Sequence, residues 1–207
     1  LERKETATIS QLLKRLRADG LIIHINPLQE ALQPEGDRFR RPAVETIAAL
    51  IKQADYPIIA KEVGQGMGPA SMRALLELPL AALEFAAAGG TNFAKLELLR
   101  SDPVKQLIFE NFARLGHTAD DMLEQSNRLY IAMGKKHKVD HVIISGGIRN
   151  FMDGYYFVKK SDLPAVYGQA SGFLKHAQGD YAELQAHVAA QVRGLELAYA
   201  FLQIRKG

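Results

Sequence analysis

The densest set of groups able to do chemistry in this sequence is His24-Ile25-Asn26-Pro27-Leu28-Gln29-Glu30. It places an imidazole, two amides and a carboxylate at the end of the apolar run Leu21 to Ile25, and Gln33-Pro34-Glu35-Gly36-Asp37 extends the polar stretch. Glu30 offers a hard oxygen to Mg²⁺, an ion that prefers carboxylates together with substrate phosphate oxygens. Gln29 donates and accepts without a charge to lose, so it can orient a ligand without competing for its proton. Pro27 and Pro34 restrict the backbone, which favours a preorganised polar loop over 26–37. The plain alternative is a satisfied strand-end histidine followed by a loop that merely tolerates solvent.

Four further segments carry glycine, two of them with charged residues. In Lys61-Glu62-Val63-Gly64-Gln65-Gly66 a lysine at a strand end can set positive charge beside an anionic ring or phosphate, and the glycines permit close backbone approach. The competing reading is a solvent-facing Lys61-Glu62 pair. Gly89-Gly90-Thr91-Asn92 and Ser145-Gly146-Gly147-Ile148-Arg149 are candidate anion cradles, since successive backbone N–H groups and a helix start receive phosphate oxygens. Each also reads as an ordinary tight turn. Gly168-Gln169-Ala170-Ser171 supplies a matching last loop, whereas His117-Thr118 and the aromatics Phe151, Tyr155, Tyr156, Phe157 and Tyr167 read as turn and packing residues.

The elements that must position these groups alternate in type. Ile9, Leu12, Leu13 and Leu16 give one apolar helix face ahead of the strand Leu21 to Ile25. A helix over 42–54 precedes a strand at 57–61, and a helix from Pro69 to Leu76 precedes a strand over 80–85. Residues 103–114 and 119–134 read as helices, with at most a very short strand at Gly116-His117-Thr118 between them. A strand at 142–145, an aromatic helix, a strand at 164–167 and a last helix over 181–202 complete the pattern. In that last helix Leu184, Val188, Val192, Leu195, Ala198 and Leu202 form the stripe expected to close on the body. Short apolar strands alternating with helices give an α/β fold with parallel strands. Polar, glycine-rich loops directly after most strands favour a TIM (β/α)₈ barrel over an open doubly wound sheet.

Bulk properties narrow the functions. The 207 residues, 47% of them hydrophobic, fill one core and give a single domain. Cysteine is absent, which excludes disulfides, thiolate metal sites and thiol nucleophiles and leaves redox chemistry to a cofactor. The net charge of +3 is dispersed among acidic neighbours, and no aromatic-basic module appears, so nucleic acid is not an expected partner. No stretch approaches the roughly 20 apolar residues that span a bilayer, and no secretion signal is visible; a soluble, cytoplasmic protein is expected. The first residue is Leu1, which suggests a trimmed start.

Taken together, HINPLQEALQPEGDRF at 24–39, KEVGQGM at 61–67, GGTNFAKLE at 89–97 and SGGIRNFMDG at 145–154 resemble type 2 isopentenyl-diphosphate isomerase, a family of FMN-containing barrels. The resemblance runs from about Asp19 onward. It implies reversible conversion of isopentenyl diphosphate to dimethylallyl diphosphate with reduced FMN and Mg²⁺, and NAD(P)H, expected as NADPH, as the reductant. By the same resemblance His24, Asn26 and Gln29 contact substrate, Glu30 holds Mg²⁺ with the diphosphate, and Lys61 approaches the flavin. Thr91, Gly146, Gly147, Arg149, Gly168, Gln169 and Ala170 fall on the FMN side, chiefly around its phosphate. An assembly of identical subunits is implied as well.

Two departures stand out. Leu83-Glu84-Phe85-Ala86-Ala87-Ala88 replaces the family's more usual Asp and small-polar-glycine pattern, and Gly116-His117-Thr118 stands where a Gly-Ile-Pro-Thr-like strand end is common. Moreover, the visible segments supply at most six strands of the eight that close such a barrel. Arg3-Lys4 is similar to the family's substrate-reaching Arg-Lys pair, but the segment joining it to the Ile9 helix is too short for two strands, so its register is not established and neither residue is assigned to the site. The expectation is therefore one FMN-dependent barrel domain over 1–207, incomplete at its N-terminal side and lacking its first two strands. The competing functions are another FMN barrel oxidoreductase acting on a small 2-hydroxy acid, which needs neither diphosphate nor Mg²⁺, and a non-catalytic ligand-binding fragment.

Overall fold

The computed structural model describes residues 6–33, 35–36 and 39–205; Arg3, Lys4, Pro34 and Asp37 lie outside them. Helix α1 (Thr6–Leu16) leads into β1 (Leu21–His24); α2 (Pro27–Leu32) and α3 (Ala43–Ile51) lead into β2 (Ile58–Lys61); α4 (Pro69–Leu76) leads into β3 (Ala82–Glu84). Next come α5 (Phe93–Leu99), α6 (Pro103–Phe109) with a 3-10 continuation at Glu110–Arg114, α7 (Ala119–Met133) and β4 (His141–Ser145). They are followed by α8 (Phe151–Lys160), β5 (Ala165–Gly168), α9 (Ser171–Ala177) and α10 (Tyr181–Phe201).

The five strands form one parallel sheet in chain order, β1-β2-β3-β4-β5. Parallel neighbours need crossover connections, which the intervening helices provide. The result is an incomplete (β/α) barrel-type fold, as the alternating pattern predicts.

Side chains alternate across a strand, so parallel register sorts each one onto a face. Ile23, Ala60, Leu83, Val142 and Ala165 are successive Cα partners across all five strands. The first four are buried, and the whole row packs in the main core with Leu50, Met72, Leu76, Met122 and Leu123 from the helices. One residue further along, the row His24, Lys61, Glu84, Ile143 and Val166 falls on the opposite face, at the C-terminal end of the sheet. That face is open: Ile22 and Val166 are 52% and 58% exposed.

Several boundaries and one face differ from expectation. Residues 116–118 add no sixth strand; only an isolated parallel bridge joins Ala88 to Thr118. The run 80–85 pairs as strand only over Ala82–Glu84, because Leu80 and Phe85 lie where the chain enters and leaves the sheet. The stretch drawn as a polar loop begins with helix α2: Pro27 occupies the first turn, where its missing N–H has no cost, and Leu28 and Leu32 share one face. On α10, Val188, Val192 and Leu202 of the expected stripe are exposed, whereas Gly194 and Ala198 are buried. Aromatics of α8 demand the small residues: a Cβ on Gly194 would sit 2.5 Å from the Phe151 ring.

Helix α7 begins with a reciprocal cap. The Thr118 hydroxyl donates to Asp121 Oδ2 at 2.6 Å, the Thr118 N–H donates to the same oxygen, and the Asp121 N–H donates back to the hydroxyl. The hydrogen bond from the Thr118 side chain, then that from its backbone, hold the Asp121 carboxyl below its ordinary value of 3.8. A depressed carboxyl contributes stability that is fully present above its unfolded value and is lost as the pH falls through the folded one. Thr118→Ala is thus expected to destabilise the protein modestly at neutral pH, with the gap narrowing in acid. Paired urea titrations at pH 7 and pH 3 check this; a gap that widens in acid refutes it.

Candidate functional site

A cavity of about 600 Å³ opens at the C-terminal ends of β2 to β5, a size ordinary for a cofactor or ligand site. All eight residues singled out for the cofactor line it: Lys61, Thr91, Gly146, Gly147, Arg149, Gly168, Gln169 and Ala170. The loops after β3 and β4 are stitched together where they form its wall. Ala87 N–H donates to Ser145 O at 2.9 Å, Ala86 N–H donates to Ser145 Oγ at 3.0 Å, and Gly146 lies against Ala87 with φ of 92°. A Cβ at residue 146 would fall 2.1 Å from the Ala87 carbonyl oxygen, so only glycine lets these two chains approach.

Lys61 does not form the solvent-facing pair with its neighbour. Its Nζ donates to the Glu62 main-chain carbonyl at 3.2 Å, while the Glu62 carboxylate is buried and accepts the N–H groups of Gly64, Gln65 and Gly66 at 2.7, 2.7 and 2.9 Å. The buried charge is satisfied by its own loop, and that loop supplies Val63 and Gly64 to the cavity wall. On the far side, Gln169 Nε2 donates to Arg149 O at 2.6 Å, and its buried Oε1 has no partner among the described residues.

The residues proposed for substrate form a second group on α2. Asn26 Nδ2 donates to Glu30 Oε1 at 2.8 Å and weakly to Gln29 Oε1 at 3.4 Å. Gln29 Nε2 and Gln33 Nε2 donate to Glu97 Oε1 on α5 at 3.3 and 2.9 Å, and Arg100 Nη1 donates to Glu97 Oε2 at 2.8 Å. A small apolar cluster of Leu32, Ala94 and Leu98, with Leu28, Phe109 and Ala113 against it, bolts α2 to α5. His24 is exposed at the end of β1, beside Lys61 in register. None of His24, Asn26, Gln29 and Glu30 lines the cavity. Two polar residues of these surroundings are given no site role by the sequence: Glu84 in the cavity wall and buried Glu97. The signal available for Glu97 was a lone carboxylate between Ala94 and Leu98 on the buried side of a helix.

No family model matches the chain. Sequence relatives do. The isopentenyl-diphosphate delta-isomerase of Stutzerimonas stutzeri is 35% identical over 188 residues, covering 90% of this chain and 51% of that protein. The enzyme of the same name from Synechocystis sp. is 35% identical over 186 residues, covering 88% and 50%. Over nine-tenths of its length the chain is similar to the isopentenyl-diphosphate isomerases, in keeping with the type 2 family. It spans about half the length of the curated relatives it matches. Among solved structures, a flavocytochrome b2 mutant with benzoylformate superposes with a TM-score of 0.64 over 98% of this chain and 48% of its own, at 14% identity. A mandelate oxidase mutant with a monooxide FMN adduct gives 0.50 over 93% and 55%, also at 14% identity. At that identity the likeness is one of fold.

Isopentenyl-diphosphate isomerases of type 2 are FMN-dependent, and the cavity's donor set fits such a group. Lys61 supplies a cation for an electron-rich ring, the glycines at 89–90 and 146–147 supply exposed main chain, and Gln169 supplies an unpartnered acceptor. For Mg²⁺ the fit is of another kind. No group of three His, Asp or Glu side chains able to hold a metal occurs among the described residues. A single carboxylate would leave the rest of an Mg²⁺ shell to substrate oxygens and water. Among the described residues no helix is long and apolar enough to cross a membrane.

Proposed function

We propose that the protein containing this chain interconverts isopentenyl diphosphate and dimethylallyl diphosphate, with FMN in the cavity, Mg²⁺ at Glu30 and NADPH as reductant. The observation that carries this reading is the convergence of all eight expected cofactor residues, drawn from four strand ends, on one cavity. Residues 1–207 then form part of one FMN-dependent barrel domain. A cytoplasmic enzyme that assembles from identical subunits accords with the family.

Reduced FMN, when bound, would supply the acid and base that add a proton to the terminal alkene carbon and remove one from the allylic carbon on the other side of the double bond. The chain's own residues bind and orient. Lys61 sets a positive charge at the cavity wall. The Gln29 amide, held by Glu97, fixes the substrate's position without exchanging a proton, and Asn26 and His24 border the same strand end. Glu30 offsets diphosphate charge through the metal, while Gly146, Gly147, Arg149, Gly168, Gln169, Ala170 and Thr91 enclose the cofactor phosphate.

The test is a flavin absorption spectrum of the purified full-length protein, followed by anaerobic incubation of the reduced form with labelled isopentenyl diphosphate and Mg²⁺. Dimethylallyl diphosphate is the expected product. FMN binding with oxidation of a 2-hydroxy acid and no isomerisation would overturn the reading. Glu30→Gln removes the metal's carboxylate charge but leaves the cavity intact, so about a tenfold loss of Mg²⁺-dependent turnover is expected, with FMN retained. An unchanged Mg²⁺ titration removes Glu30 from the metal site.

A further inference from the structure

Lys61 and Glu84 are Cα partners on β2 and β3, and both line the cavity. Neighbouring strands lie about 4.8 Å apart, so opposite charges in this relation can readily close an ion pair. These two do not: no ion pair within 4.0 Å joins them among the described residues. Lys61 Nζ is turned to the Glu62 carbonyl oxygen at 3.2 Å, and Glu84 Oε1 is held by the Ser145 hydroxyl at 2.9 Å. The direction of that second bond is fixed. Ser145 Oγ already accepts the Ala86 N–H at 3.0 Å, which leaves its single proton to point at the carboxylate. A carboxylate has room for about four hydrogen bonds, and Glu84 has acceptor capacity to spare at the cavity wall. The sheet thus presents a cation and an anion side by side, each anchored and neither neutralising the other.

We propose that Lys61 and Glu84 together read the imide edge of a heteroaromatic ring, Lys61 donating to a ring carbonyl and Glu84 accepting the adjacent ring N–H. This rests on the reading of the cavity as an FMN site, and it makes Glu84 a specificity-determining residue. Lysine alone admits any anionic or carbonyl-bearing ring. The carboxylate beside it repels an acceptor edge and leaves an alkylated one facing an unpaired charge, so discrimination comes from the anion. Ser145 acts through Glu84 as a positioning residue by holding the carboxylate in its outward orientation.

The flavin-free full-length protein is titrated with FMN and with N3-methyl FMN, which keeps both carbonyls and loses the N–H. Flavin fluorescence quenching gives the two dissociation constants. At least tenfold weaker binding of the methylated flavin is expected for the unaltered protein. The ratio falls below about threefold in Glu84→Ala and to an intermediate value in Ser145→Ala, whose carboxylate remains but is unanchored. Lys61→Met weakens both flavins and preserves the ratio. Equal binding of the two flavins by the unaltered protein overturns the proposal and needs no variant to fold. A ratio unchanged in both Glu84→Ala and Ser145→Ala, with native circular dichroism, overturns it as well. Failure to bind FMN at all overturns the cofactor reading itself, which separates the two failures.

Discussion

Gly146→Ala is expected to lower stability by about 3 kcal/mol or more and to abolish FMN retention. The new methyl would lie 2.1 Å from the Ala87 oxygen and 2.4 Å from the Ala87 nitrogen, and main-chain atoms cannot swing aside as a side-chain end can. Relief requires the loops after β3 and β4 to part, breaking the Ala87 to Ser145 bond and deforming two walls of the cavity together. The φ of 92° adds conformational strain for any residue with a Cβ. Gly134→Ala is the control. Its φ of 49° also disfavours a Cβ, but nothing lies within 4 Å of the added carbon, so a smaller loss from backbone strain alone is expected there. Guanidinium denaturation of both variants, with FMN titration, makes the comparison. Equal losses at 134 and 146 would refute the packing argument.

Glu62→Ala is expected to cost on the order of 2–4 kcal/mol. One carboxylate oxygen receives three backbone N–H groups from consecutive residues 64–66. Such charge-assisted bonds are the stronger class, and their removal leaves three donors of a half-buried loop to compete for water. The damage also spreads, because Gln65 Nε2 bonds to the Phe112 and Leu115 carbonyls and its main chain bonds to His117. Glu62→Gln keeps an acceptor and should lose about half as much. Matching urea midpoints for Glu62→Ala and the parent protein would show that the loop holds its shape without the carboxylate.

What the sequence made legible follows from the range of the interactions involved. Strands β1, β2, β4 and β5 announce themselves as short apolar runs, each ending at a polar or glycine-rich signal. The glycine pairs pointed to the cavity because close main-chain approach is a local demand on residue type. Glu84 was visible only as a departure from a motif, since its relation to Lys61 and Ser145 depends on strand register across 23 and 61 residues. Glu97 was silent for the same reason: its bonds to Gln29 and Gln33 cross 68 and 64 positions. Helix α2 was hidden because the prolines and the polar residues on either side of it read as a loop, though the Leu28 to Leu32 spacing is helical. The α10 stripe holds at Ala198 and misses Gly194, because a glycine carries no apolar signal although α8 needs the gap it leaves.

The small apolar cluster under α2 has a kinetic meaning. Leu32, Ala94 and Leu98 are buried apart from the main core, and α2, α5 and α6 with its 3-10 turn contact one another as a set. Segments of a protein that share few buried contacts with the rest open as separate cooperative units, with opening free energies below that of global unfolding. Amide hydrogen exchange should therefore resolve two populations. The α2, α5 and α6 amides would exchange together through a low-energy opening, while β2 to β4 exchange only when the whole fold unravels. The groups proposed to grip the diphosphate would then leave and return as one body, taking Phe93 of the cavity wall with them.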